Sequence, residues 1–152
     1  MKRAALATGA TIGVPVYFVI EALVRLLNVG RSRTLSHAEL EVVDLLDSTD
    51  LSPRVQGDAV RIVTNARLPI KQRAITLGND IFIKGDFDVA GARDRELLAH
   101  ELVHVAQRHR HGRVGMAWHY AACFCDGFSY RDHEMEIEAR AIAAHAVAEP
   151  GD

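Results

Sequence analysis

The five residues His100-Glu101-Leu102-Val103-His104 constrain the fold of this chain more than any other segment. Residues four apart lie one turn above each other on a helix, so the spacing predicts a helix whose two imidazoles point the same way. Two neutral imidazole nitrogens can supply half of a tetrahedral zinc site. Glu101 lies about 60° around the helix from His104, within reach of a water at an open coordination position. The segment therefore predicts a helix that carries a metal site.

Length and composition narrow the classes of protein to which the chain can belong. Its 152 residues are the size of one domain, and 49% hydrophobic with 25% charged residues is ordinary for a globular protein. A formal net charge of -2 argues against a general nucleic-acid binder, which usually has a strong basic excess. The two cysteines, Cys123 and Cys125, are too close together for an ordinary structural disulfide. We therefore expect a globular domain that binds no nucleic acid.

The N-terminal segment has two interpretations. Residues 4–20 carry no charge, but glycine, threonine and proline dilute their hydrophobicity, and their length is near the lower limit for a spanning helix. One interpretation is a helix over about 16–28 that packs on the core with Glu21 and Arg25 on its outer face. The other is membrane association through residues 4–28. The sequence favours the packed helix, and with it a cytoplasmic protein.

The central part of the chain predicts one helix followed by a small sheet. Ser36 and Glu39 have the spacing of a capping box, which opens a helix that ends near Asp47 and buries Leu40, Val43, Leu45 and Leu46. Residues 60–64 alternate and are rich in β-branched side chains, which predicts a strand. Residues 74–77 and 81–84 flank a Gly-Asn-Asp turn and predict a hairpin. Its buried face would carry Ile75, Leu77, Ile81 and Ile83.

The C-terminal part of the chain predicts three helices, over about 93–109, 114–125 and 132–148. The whole pattern predicts an α+β fold: a helix-rich single domain with a small antiparallel sheet and the HExxH segment on a helix. We place an N-terminal apolar helix in residues 1–30 and the metal-binding domain in residues 31–152.

A third protein ligand is needed beside the two histidines. On the last predicted helix, Met135, Ala139, Ile142 and Ala146 mark a buried stripe, and Glu136 lies at its edge. A carboxylate that faces a packed interior is costly unless it is paired or bound to a cation, so Glu136 is the favoured ligand. Glu138 lies on the solvated side of that helix and is the alternative. His109 and His111 are weaker candidates, because a continuous helix would carry them away from the site.

The motifs around these residues resemble those of a known group. A pair of histidines in HExxH followed by a glutamate on a later helix resembles the gluzincin class of zinc metallopeptidases. The segment 97–107 is closer still to small bacterial zincin-like domains of unknown function that carry HELxHxxQ. Their upstream TxGxxI pair is matched by Thr76–Ile81, and their downstream ExEA motif by Glu136–Ala139. The resemblance spans about residues 60–146 and also selects Glu136 as the zinc ligand.

The resemblance implies a zinc-dependent metallohydrolase, most simply a peptidase that acts on peptides or proteins. Glu101 would act as the general base on a zinc-activated water. Tyr130 and His133 are candidates to donate a hydrogen bond to the oxyanion. The predicted strand 81–84 would pair with an extended substrate as an edge strand.

One residue departs from the pattern. Related metallopeptidases carry an Asp that orients a zinc-bound histidine, and this chain has Arg140 at that position. The departure puts efficient catalysis in doubt more than metal binding. The alternative is a catalytically weak or inactive zincin-fold module that serves in binding or assembly.

Overall fold

The computed structural model describes residues 2–49, 54–125 and 133–148, and of these the side chains of 14–49, 54–119 and 133–148. Four helices and four strands lie in these residues, which confirms the α+β class. In chain order they are α1 (Lys2–Leu27), β1 (Arg33–Thr34), α2 (His37–Asp47), β2 (Arg61–Val63), β3 (Ala74–Leu77), β4 (Asp80–Ile83), α3 (Ala92–Cys125) and α4 (Glu134–Val147).

The sheet is mixed: two of its three strand pairs are antiparallel, as the sequence predicts, and the third is parallel. Its strand order is β1-β2-β4-β3, with β1–β2 and β3–β4 antiparallel and β2–β4 parallel. The connection 64–73 leaves the position beside β2 empty and leads to β3 at the edge of the sheet. The hairpin then places β4 between β2 and β3. The strand predicted as a free edge, β4, is therefore internal, and β3 is the edge strand on that side. The hypothesis that β4 pairs with a substrate is abandoned.

The hairpin faces also differ from the prediction. Leu77 pairs with Asp80 and Ile75 pairs with Phe82, so the loop holds two residues. This register puts Ile81 and Ile83 on the face that joins the main core, while Ile75 and Leu77 lie on the opposite face with Phe82. The sequence predicts a loop of three residues. Because the loop is one residue shorter, the side chains of one strand lie on the opposite face from the one predicted.

Helix α2 begins as predicted. The Ser36 backbone N–H donates to Glu39 Oε2 at 2.6 Å, and the Glu39 N–H donates to Ser36 Oγ at 3.4 Å, which completes a capping box. The Arg33 guanidinium also donates to both carboxylate oxygens of Glu39. Val42 is buried and Leu45 is exposed, so the predicted inner position of Leu45 was wrong.

Helix α3 supplies the centre of the main core and then bends. Leu98, Leu102 and Val105 are buried, as their helical spacing predicts, in the cluster that also holds Ile81 and Ile83 from β4. Gly112 has φ 70° and ψ 173°, a conformation outside the helical region that glycine adopts at little cost. The bend divides α3 into the two helices that the sequence predicts.

Helix α1 is longer than the predicted 16–28. Val24 is buried against Leu77 and Phe82 on the second face of the sheet. Glu21 is also buried, so its predicted outer position was wrong; the guanidinium groups of Arg25 and Arg113 pair with its carboxylate and offset the cost of burial. None of the described helices has the length and apolar character needed to cross a membrane.

Candidate metal centre

The first part of α3 presents both histidines of the HExxH segment to one point. The Nε2 atoms of His100 and His104 are 3.0 Å apart, and the two rings meet edge to face with centroids 4.6 Å apart. The His104 side chain is almost fully buried, while that of His100 keeps 17% exposure. The predicted helical geometry of the pair is confirmed, and His100 lies on the more accessible side of the site.

Helix α4 brings Glu136 to the same point. Its Oε2 lies 3.2 Å from His100 Nε2, and its Oε1 lies 3.1 Å from His104 Nε2. The Glu136 side chain is 3% exposed. Among the described residues, these three offer ligand atoms that all lie within 4.8 Å of one another and could hold a metal ion. The three ligands predicted from the sequence therefore meet, although α3 and α4 are separate elements.

The electrostatics of this cluster favour a cation. Burial by itself lowers the pKa of His104, but the hydrogen bond to Glu136 and the charges of Glu101 and Glu136 outweigh it, so the pKa is raised. The site thus stabilises a positive charge between the imidazole and the carboxylate. Two imidazole nitrogens and one carboxylate oxygen are also a ligand set that zinc accepts. The residues present fit a divalent metal of this kind.

Glu101 is held by the edge strand of the sheet. Its side chain is buried, and Thr76 Oγ1 in β3 lies 2.7 Å from Glu101 Oε2 and 3.1 Å from the Glu101 backbone oxygen. The Thr76 hydroxyl donates, so it orients one carboxylate oxygen without adding a charge. The residue that the sequence predicts as a general base is therefore fixed by a strand that packs across α3.

Gln107 lies one turn after His104 and connects α3 to α4. Its Oε1 is 2.7 Å from His104 Nδ1, and its Nε2 donates to the Met135 backbone oxygen at 2.9 Å and to Glu138 Oε2 at 2.7 Å. Arg110 donates to the other oxygen of Glu138 at 2.9 Å. Glu138, the alternative third ligand, is thus bound to Gln107 and Arg110 and lies outside the group that could hold a metal.

The remaining candidates lie elsewhere. His133 is the N-cap of α4: its Nδ1 accepts from the Met135 N–H at 3.2 Å, and its Nε2 lies 2.9 Å from the His119 backbone oxygen. Both ring nitrogens are engaged by the backbone, and a catalytic role for His133 stays a prediction. Tyr130 falls outside the described residues. His109 contacts Asn79, and the ring of His111 meets that of His119 edge to face; neither histidine belongs to the ligand group.

Two functional contacts were not foreseen from the sequence. Thr76 and Gln107 both fall in motifs that carry the resemblance, and Gln107 shares a helical face with His100 and His104. The sequence shows the positions of these two residues but does not show their partners. Thr76 in β3 contacts Glu101 in α3, and Gln107 in α3 contacts α4, so both contacts join separate elements. Only the pairing at three residues, between Gln107 and His104, could have been found from helical periodicity.

Comparison with known proteins agrees with part of this description. Residues 49–112 match the family described as eCIS core domain. The match covers less than half of the chain; it includes Thr76, Glu101 and both histidines, and it ends before Glu136. No curated protein and no solved structure gives a significant match. The chain is therefore similar to this family over strands β2, β3 and β4 and the first part of α3.

Proposed function

We propose that the chain is a zinc-dependent metallohydrolase of the gluzincin type whose substrates are peptides or proteins. The observation that carries the proposal is the convergence of His100, His104 and Glu136 from two helices on one point, with ligand atoms within 4.8 Å. A carboxylate that is buried against two histidine nitrogens is costly, because an apolar residue would pack there at lower cost. Metal binding accounts for all three residues.

A zinc ion in this site would acidify a bound water and polarise a substrate carbonyl. The chain's own residues supply the remaining chemistry. Glu101 follows His100 directly and can take a proton from the attacking water and return it to the leaving amine. Thr76 donates to Glu101 Oε2, and no described residue donates to Oε1, so Oε1 is the oxygen that can take that proton from water. The position of the hydroxyl thus supports general-base action by one oxygen.

The proposal is tested first by metal content. The purified protein should contain about one zinc per chain, and His104→Ala and Glu136→Gln should each lose it while retaining the native circular dichroism spectrum. Glu134→Gln is the matched control, because Glu134 is an exposed glutamate on the same helix. Undiminished zinc in both ligand variants would defeat the proposed site.

Hydrolysis is tested second, on a broad peptide library. Glu101→Gln should retain zinc and lose about 10²- to 10⁴-fold in kcat/KM, the usual contribution of a general base. A wild-type protein that binds zinc, cleaves no peptide and is unaffected in cells by Glu101→Gln would instead be a binding or assembly module. Arg140, in place of the expected Asp, is the residue that favours this second function.

A further inference from the structure

The amide of Gln107 is a fully buried polar group in the interface between α3 and α4. Its two ends face different partners: the oxygen faces His104 Nδ1, and the nitrogen faces the Met135 backbone oxygen and the Glu138 carboxylate. All three contacts are between 2.7 and 2.9 Å. A glutamine used only to fill space would not need three polar partners in a dry interface.

The partners determine which way the amide points. A backbone carbonyl oxygen accepts hydrogen bonds only, and an ionised carboxylate does the same, so the NH₂ group must face Met135 and Glu138. Arg110 donates to the other oxygen of Glu138 at 2.9 Å, so both carboxylate oxygens act as acceptors, and the Met135 backbone oxygen fixes the direction of the amide by itself. The Gln107 oxygen is therefore left to face His104.

The orientation of the amide in turn determines the tautomer of His104. An amide oxygen only accepts, so His104 Nδ1 must carry a proton and donate it to Gln107. In the neutral imidazole, Nε2 then has a free lone pair, and Nε2 is the atom that faces His100 and Glu136. Metal ligands of this type commonly donate their second nitrogen to an oxygen that fixes the ring.

We propose that Gln107 is a positioning residue that holds His104 in the tautomer and orientation of a metal ligand, with Glu138 and Arg110 holding the amide in place. This inference rests on the proposed metal site. The amide does for His104 what an Asp at position 140 would be expected to do. Gln107 also bonds to α4, which carries Glu136, so one side chain sets the relative position of both ligand-bearing helices.

The role of Glu138 follows from the same geometry. Its negative charge lies at the NH₂ end of the Gln107 amide, and a charge-assisted hydrogen bond there polarises the amide and strengthens its oxygen as an acceptor. Glu138 therefore acts through Gln107 on His104 and need not touch the metal. Its place in the ExEA motif, two residues after Glu136, is explained by this contact.

The test uses zinc affinity measured by competition with a chromogenic chelator. Gln107→Leu, which is close in volume and makes no hydrogen bond, should bind zinc about 10- to 100-fold more weakly than the wild type. Glu138→Gln should weaken binding by a smaller factor, because it removes the charge but keeps an oxygen at that position. Glu134→Gln is the control and should bind as the wild type does. Wild-type affinity in Gln107→Leu would overturn the inference.

A second measurement separates positioning from a general packing role. The ring nitrogens of His104 in the zinc-free protein are observed by NMR with ¹⁵N-labelled histidine at a pH high enough for the imidazole to be neutral, and the wild type should show the Nδ1–H tautomer. Gln107→Met fills a similar volume with an unbranched side chain that makes no such hydrogen bond, so it replaces Gln107→Leu if the leucine variant does not fold. It should populate both tautomers of His104 and bind zinc more weakly, and the wild-type tautomer together with wild-type affinity in this variant overturns the inference.

Failure of the inference and failure of the proposed function give different results. If the wild type binds no zinc but its His104 tautomer depends on Gln107, the metal site is rejected and the positioning contact is retained as a feature of the fold. If the wild type binds zinc and neither the tautomer nor the affinity responds to Gln107, the metal site stands and the positioning role is rejected.

Discussion

Helix α3 contacts both α1 and α4, and the polar groups buried in these two interfaces are arranged differently. At α1, donors meet acceptors: Glu21 accepts from Arg25 of the same helix and from Arg113 of α3. At α4, the Nε2 atoms of two histidines converge on the carboxylate of Glu136. In the first interface the charges neutralise each other within the chain. In the second, the cluster needs a proton or a metal ion.

The difference shows how to tell a buried polar group that holds a fold together from one that serves a site. Both interfaces bury a glutamate almost completely, so burial alone does not separate Glu21 from Glu136. Their partners do: Glu21 faces guanidinium groups that are permanently charged, whereas Glu136 faces imidazoles that can release a proton and bind a metal. We therefore expect α4 and the first part of α3, and not α1, to respond to zinc.

The largest expected effect is the response to zinc itself. Free zinc at about 100 times its dissociation constant should stabilise the protein by about 2.7 kcal/mol, since it binds the folded state. Hydrogen exchange should slow most in peptides over 98–107 and 134–143, and least over 16–27. Glu136→Gln should abolish the response. Equal slowing of hydrogen exchange in all three segments would show that the α1 and α4 interfaces respond to zinc in the same way.

A smaller effect should separate the two faces of α1. Val24 is fully buried, and Val24→Ala should lower the free energy of unfolding by about 2 kcal/mol because it leaves a cavity against Leu77 and Phe82. Leu26 is 71% exposed, and Leu26→Gln should change it by no more than about 0.5 kcal/mol. Urea denaturation gives both values, and a large loss for Leu26→Gln would mean that the outer face is covered.

The smallest expected effect is the pH dependence of the zinc-free protein. The pKa of His104 is raised above its ordinary 6.5 in the folded state, so its contribution to stability is complete below about pH 6.5. That contribution should disappear as the pH rises through the folded-state value. Urea denaturation in the presence of a chelator, repeated above pH 6.5, should therefore show falling stability.

The zinc-bound protein should behave in the opposite way. Zinc competes with the proton for His104, so the stabilisation that zinc adds should increase over the same pH range. His104→Gln should remove the fall in stability of the zinc-free protein, whereas His145→Asn, at an exposed position on α4, should keep it. A fall of the same size in His104→Gln would assign the effect to other groups.

The sequence predicts correctly those features that depend on contacts between residues close together in the chain. The capping box of Ser36 and Glu39, the hairpin near Gly78 and the helical face shared by His100 and His104 all depend on contacts within a few residues. The inward position of Glu136 was also predicted, because the apolar residues around it on the same helix mark the buried side.

The wrong predictions concern side chains whose environment is made by distant elements. Glu21 was placed outside because an acid on a helix is usually solvated, but Arg113 lies 92 residues away and pairs with it. The parallel pairing of β2 with β4 depends on the path of the connection between them. Periodicity describes one element at a time, so it contains no information on either contact.

The apolar side of α1 is a surface for which the sequence prediction and the structure give different answers. Its apolar residues repeat at helical spacing, and the sequence assigned them either to a core or to a membrane surface. In the structure they face outward and are 40% to 71% exposed, at Val16, Val19, Leu23 and Leu26. Membrane association through this segment stays a prediction.

The sequence by itself determined the HExxH helix, the identity of the three candidate ligands and the α+β class, because each follows from spacing along one element. The tertiary structure alone decided that α3 and α4 meet, that Thr76 orients Glu101 and that Gln107 bonds to α4. A hydrogen bond joins atoms about 3 Å apart. Thr76 and Glu101 lie 25 positions apart in the chain, and Gln107 and Glu138 lie 31 positions apart. Such contacts exist only once the chain has packed.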